Sequence, residues 1–185
     1  MRKTVLAVTI LLMSTAAEAA NIGGANLADT ATAGGQNLVL NGGGIRKKFF
    51  IKVYAAGLYL PTKQTSPERI LATDAPRQMV MHFLYGVDKG KIAEAWQEGL
   101  EANTPNASPA VKQAFSTLSS WMEDMEKGEH IVMTYVPGAG TTVEVKGTVK
   151  GVLPDKGVAD AILATWIGPE PGPGEDFKKA VLGGR

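Results

Sequence analysis

The residues whose types could carry chemistry are few. His82 and His130 are the only histidines and the 185-residue chain contains no cysteine, so a zinc site, built mostly from those two residue types, is not expected. Both histidines sit in strand-like runs, where a packed core or edge histidine is the expectation. Gly42-Gly43-Gly44 is followed by Ile45-Arg46 and not by the Gly-Lys-Ser/Thr that a phosphate-binding loop requires, so the triplet reads as a turn. There is no Gly-x-Ser-x-Gly elbow to present a nucleophilic serine. Glu123, Asp124 and Glu126 fall on the polar side of a helical pattern and read as a solvated face. These residues call for no metal and no cofactor. Unaided, they imply a folded domain without a familiar catalytic set.

The elements that must position any site are more legible. Asn37 to Leu60 reads as two strands joined at the glycine triplet, and Pro61 closes them. Ser66-Pro67 opens a short helix with Ile70-Leu71 facing inward. Gln78 to Tyr85 is a strand with apolar residues on both faces, which predicts a central position. Asp88 caps a helix whose Ile92, Trp96 and Leu100 share a face. Ser108-Pro109 opens another, with Val111, Phe115, Leu118, Met122 and Met125 as its stripe and Gly128 as its stop. His130 to Val136 and Thr141 to Val145 form a hairpin, and Thr148 to Leu153 adds a strand. Pro154-Asp155 opens a helix carrying Val158, Ile162 and Trp166, stopped by Gly168-Pro169, and Glu175 to Leu182 is the last helix. Strands early and late with helices between and after them predict an α+β fold, an antiparallel sheet with helices on one face.

The N-terminus reads as a cleavable export signal over residues 1–19: Arg2-Lys3, the apolar run Val5 to Met13, then Ala17-Glu18-Ala19. The expected destination is the periplasm, with full secretion as the alternative. No other stretch approaches the roughly eighteen apolar residues of a membrane span. Residues 20–36 show no period and read as a flexible arm or an edge strand; residues 37–185 form the domain. Removing Arg2, Lys3 and Glu18 with the leader leaves 17 of the 19 basic and 17 of the 18 acidic side chains. That neutral balance argues against nucleic acid, whose binding needs clustered positive charge.

Two stretches carry a resemblance. Gly42-Gly43-Gly44-Ile45-Arg46 followed by Lys52-Val53-Tyr54-Ala55-Ala56-Gly57-Leu58-Tyr59 resembles the Gly-x-Arg and "Lys-x-x-Ala-x-Gly-x-Tyr" pattern of the chalcone isomerase superfamily. Leu163 to Gly168, with the proline-containing stretch to Lys178, resembles that family's late helix and loop. The resemblance covers most of Leu38 to Leu182. It implies an open-faced β-sandwich, one large antiparallel sheet with a layer of helices on one face. It also implies a cleft between sheet and helices for a flat or elongated apolar ligand.

In chalcone isomerases the arginine matched by Arg46 holds a substrate phenolate and stabilises the enolate; Arg46 would be the electrostatic catalyst here if the chain is an isomerase. A guanidinium suits the task because it stays charged at any working pH and offers donors in a fixed fork. Thr165 matches a substrate-contacting threonine, and Trp166 is bulkier than the usual family residue and would narrow the pocket. The plant enzymes have threonine where this chain has Tyr54, and a tyrosine and asparagine seven apart on the helix that corresponds to Asp88–Asn103; this chain lacks that pair. Flavanone formation is therefore not the expectation. The resemblance extends to fatty-acid-binding members, in which the same arginine and a tyrosine on the next strand hold a carboxylate. Tyr54 and Tyr59 are the candidates for that tyrosine. Opposite strand parity separates them unless Gly57 is a bulge, and Tyr54 is preferred. The expected ligand is a small apolar acid or a phenolic compound, and a protein partner is the alternative use of a collapsed cleft.

Overall fold

The computed structural model describes residues 19–184, so the expected leader lies outside the described residues except for Ala19. The chain runs β1 (Ala19–Ile22), β2 (Ala25–Ala28), β3 (Thr30–Ala33), β4 (Gln36–Lys48), β5 (Ile51–Leu60), α1 (Pro67–Ala72), β6 (Arg77–Phe83), α2 (Lys89–Asn103), α3 (Pro109–Ser120), β7 (His130–Val136), β8 (Gly140–Val145), β9 (Thr148–Leu153), α4 (Lys156–Ile167) and α5 (Glu175–Val181). Strands β3 to β9 form one seven-stranded sheet in sequence order, and β1 and β2 form a separate hairpin. All the pairings are antiparallel. The expected α+β, open-faced sandwich is what the chain forms: helices cover one face, where Leu58, Met81, Phe83, Phe115, Leu118, Ile162 and Trp166 share the main core. No helix among the described residues is long and apolar enough to cross a membrane.

β6 is the central strand, as its two apolar faces predict. Met79, Met81 and Phe83 are buried under the helices, and Val80 packs on a smaller cluster of Ala33, Leu38 and Tyr59 on the other face. Residues 20–36, read as an arm or an edge strand, hold most of the β1–β2 hairpin and the edge strand β3. Gly23-Gly24 and Gly34-Gly35, all at positive φ, make the two turns.

The glycine triplet is not a turn. Gly42, Gly43 and Gly44 lie inside β4, and the turn comes instead at Phe49-Phe50. The glycines serve close approach. A methyl group on Gly42 would sit 2.2 Å from the Ala180 carbonyl oxygen, and one on Gly44 would sit 2.8 Å from the Phe177 ring, both in α5. On the opposite face a methyl on Gly43 would meet Ile22 of the hairpin at 1.9 Å. One stretch of bare backbone thus admits a helix on one side and a hairpin on the other.

The register of β4 against β5 shifts twice, between Leu40 and Gly42 and between Arg46 and Lys47. At the first shift Asn41 is the extra residue. Its side chain donates to Val181 O at 2.9 Å and Gln64 O at 3.0 Å, and accepts from Gln64 N at 2.7 Å. At the second shift Val53 is the extra residue, because Arg46 pairs with Tyr54 and Lys47 with Lys52.

Two helix boundaries differ from the sequence pattern. α3 stops at Ser120, and Met122 and Met125 are buried in the segment beyond it, where Met125 bridges to Val87. The acids after α3 are not a solvated helix face: Asp124 accepts from Lys89 N at 2.8 Å and so caps α2, and Glu123 pairs with Lys150. Asp88, the expected cap, makes no capping bond and pairs with Lys91 at 3.2 Å instead.

A polar cluster ties α4 to β6. Arg77, 5% exposed, pairs with Asp160 at 2.5 Å and lies 4.9 Å from the centre of the Tyr135 ring. Asp160 also holds Lys156, and Tyr135 donates to Asp74 at 2.6 Å. Burial, then the Asp74 hydrogen bond and charge, push the Tyr135 phenol up to about 12 against the opposing Arg77. A phenol that keeps its proton longer when folded contributes stability that is intact below about pH 10 and is lost as pH rises through about 12. Urea midpoints taken at neutral pH and near pH 11 are therefore expected to fall more for the wild type than for Tyr135→Phe. An equal fall in both would remove Tyr135 as a source of the alkaline loss.

Candidate functional site

A cleft of about 640 Å³ opens between the β4–β6 end of the sheet and helix α2. That volume is in the range of sites that enclose small organic ligands. Alternation along the strands builds its floor, because Tyr54, Met81 and Phe83 all point to the helical face. Ile92 and Trp96, one turn apart on α2, form the wall. Thr165, Trp166, Gly172 and Pro173 close the inner end.

Arg46, Tyr54, Thr165 and Trp166 all line this cleft. Arg46 is half-buried and directly opposite Tyr54 across the β4–β5 pair. Its guanidinium reaches toward the 171–174 loop, where a methyl on Gly172 would sit 4.0 Å from Nη1. Among the described residues it forms no ion pair. It is neither splayed into bulk water nor clamped to an internal carboxylate.

Tyr54 is buried and its hydroxyl accepts a hydrogen bond from Trp166 Nε1 at 3.1 Å. Burial raises the phenol's pKa, while the Arg46 charge and the Trp166 and Arg46 hydrogen bonds work the other way. The phenol therefore stays protonated, and no protein acceptor takes its proton among the described residues. Trp166 stands edge-on to Trp96, with ring centroids 5.1 Å apart. Its indole is held against the wall, so it narrows the cleft without filling it. Thr165 is buried and donates to Ile162 O at 2.8 Å, leaving only its lone pairs for a ligand.

Tyr59 is not part of the cleft. No register shift occurs at Gly57, so Tyr59 keeps the opposite parity, packs with Ala33 and Leu38 on the far face, and donates to Ala28 O at 2.8 Å. The mouth carries residues that patterning could not single out: Lys48 and Lys91 as cations, Glu94 and Glu98 as acids, with Phe49, Ile51 and Tyr85 as exposed apolar surface. Each is a solvent-facing position in its own element. Only the folding of β4–β5 beside α2 makes them one rim. Tyr85 continues the alternation of Met81 and Phe83 past the end of β6 and also lines the cleft.

The family model described as chalcone isomerase-like matches residues 19–183. A crystal structure of a fatty-acid binding protein from Arabidopsis thaliana is similar in fold, with a TM-score of 0.63 at 18% identity over 86% of this chain and 92% of that one. No curated protein is matched.

Proposed function

The chain belongs to the chalcone isomerase-like family, and from that footing we propose that it is an exported binder of a small apolar acid, anchored by Arg46 and Tyr54. One observation carries the reading. At the inner end of an apolar cleft, a half-buried arginine without an ion pair sits beside a phenol whose proton has no protein acceptor. A carboxylate meets both needs, taking charged hydrogen bonds from the guanidinium and a neutral one from Tyr54. The hydrocarbon body would lie along Met81, Phe83, Ile92 and Trp96. The fold shared with a fatty-acid binding protein supports this ligand class. Export is supported by the order of charge, apolar run and small residues over 1–19, and the intact mass of the protein recovered from the cell envelope tests it.

Native mass spectrometry of the purified protein, followed by titration with long-chain fatty acids, tests the ligand. Arg46→Ala is expected to weaken binding about 10- to 100-fold, the worth of a charged hydrogen bond of roughly 1.5–3 kcal/mol. Tyr54→Phe is expected to weaken it about fivefold, for one neutral bond. A cleft that stays empty across fatty-acid and phenolic panels, or an Arg46→Ala protein that binds as well as wild type, overturns the reading. Chalcone loss above the spontaneous rate and dependent on Arg46 would assign the cleft to isomerisation instead.

A further inference from the structure

The turn between β4 and β5 does nothing for the core. Lys47, Lys48, Phe49, Phe50, Ile51 and Lys52 are six consecutive exposed residues, with Phe49 87% and Phe50 fully exposed. Phe49 also has φ 55, a left-handed conformation that disfavours a bulky side chain and that glycine would adopt freely. Such placement of two phenylalanines needs a reason outside folding.

The charges around them point to one. Between Asp29 and Glu68 the sequence has no acidic residue but contains Arg46, Lys47, Lys48, Lys52 and Lys63. Lys47 and Lys52 are direct cross-strand partners, an arrangement that is repulsive until an anion joins it. Neither they nor Lys48 pair with a carboxylate among the described residues. The patch is one hairpin turn of six exposed residues, whereas a stable protein interface takes about 20–30 residues from each side. Apolar rings ahead of a collar of lysines match a bilayer with anionic headgroups, where rings enter the acyl boundary and ammonium groups stay at the phosphates.

We propose that the Phe49-Phe50 tip docks this protein onto anionic phospholipid membranes. Lys48, Phe49 and Ile51 also line the cleft, so docking brings the cleft's mouth to the lipid surface. The docking does not rest on the cleft's ligand. Binding to vesicles without fatty-acid binding upholds it, and fatty-acid binding without vesicle binding overturns it while leaving the ligand reading intact.

Flotation with vesicles of phosphatidylcholine alone, or with about a third phosphatidylglycerol, tests it using variants outside the cleft lining. Wild type is expected to float with the anionic vesicles and to be released by high salt. Lys47→Gln with Lys52→Gln is expected to weaken binding about 25-fold, roughly fivefold for each lysine, and Phe50→Ser about tenfold. Circular dichroism spectra and melting temperatures of both should match wild type, which shows that the variants are folded whether or not the cleft takes fatty acid. Equal binding to neutral and anionic vesicles, no binding to either, or variants that bind like wild type would overturn the proposal. A concentration-dependent dimer abolished by Phe50→Ser, without vesicle binding, would assign the tip to self-association and overturn it too.

Discussion

Replacing Asp160 by alanine is expected to lower the unfolding free energy by about 3 kcal/mol, a large part of the roughly 5–15 kcal/mol available to a domain of this size. Arg77 is the reason. Its side chain is 5% exposed, and Asp160 is its single carboxylate partner among the described residues. Its other contacts, Ile70 O at 3.4 Å and the Tyr135 ring, cannot neutralise it. Removing Asp160 therefore leaves a buried charge uncompensated and also takes from Lys156 its carboxylate partner, leaving it only the Leu71 carbonyl among the described residues. The expected loss is at the low end for breaking such pairs because Asp160 is itself 28% exposed. Removing both charges at once, as Arg77→Met with Asp160→Leu, should recover most of the loss, since apolar groups need no partner. Urea denaturation of the single and double variants checks this. A loss below about 1 kcal/mol in Asp160→Ala would show that solvent reaches Arg77.

Gly42→Val is expected to destabilise by about 3–6 kcal/mol and to release α5 from the sheet. A first carbon at that position would lie 2.2 Å from Ala180 O, 2.8 Å from Gly183 N and 2.9 Å from Val181 O. These are backbone atoms, which cannot rotate away as a side chain can, so the helix must leave. The cost is bounded by what α5 buries, mainly Phe177 and Val181 at roughly 1.5–3 kcal/mol each. Because Phe177 stands edge-on to Tyr54 at 6.0 Å, undocking should also loosen the cleft's inner end. Gly90→Ala is the control: nothing lies within 4 Å of its added carbon, and alanine in a helix should stabilise by a few tenths to about 1 kcal/mol. Hydrogen exchange over 175–182 would report the release. Unchanged protection in Gly42→Val would mean that the sheet, rather than the helix, gives way.

Signals carried by neighbours in the chain were legible in the sequence, and those that depend on distant segments were not. The helices with Ser66-Pro67 and Ser108-Pro109 starts were legible because the signal is local: the serine oxygens accept from Arg69 N and Val111 N, three residues on. The central place of β6 was legible from its two apolar faces. The glycine triplet reads as a turn because a turn and a close approach need the same residue, and what approaches Gly42 and Gly44 is α5, more than 130 residues downstream in the chain. The α3 stripe ran on to Met125 because burial continues past the last helical turn. Period reports the buried face; it does not report backbone form. Asn41 and Asp124 act on backbone groups brought near by tertiary folding, so no spacing rule could reveal them. In the cleft, the family resemblance placed Arg46 and Thr165, parity separated Tyr54 from Tyr59, and the charged rim emerged only when α2 met the hairpin.

The extra residue at Val53 has a consequence for how this protein can vary. An unbroken ladder would lock the phase of the loop to that of the arginine, so a one-residue insertion or deletion beyond it would rotate every neighbour by half a turn. An irregularity between them works as a slip joint. Whatever length or composition the outer loop acquires, the guanidinium keeps its bearing toward the interior. The segment that meets the surroundings is thereby uncoupled in phase from the inner anchor.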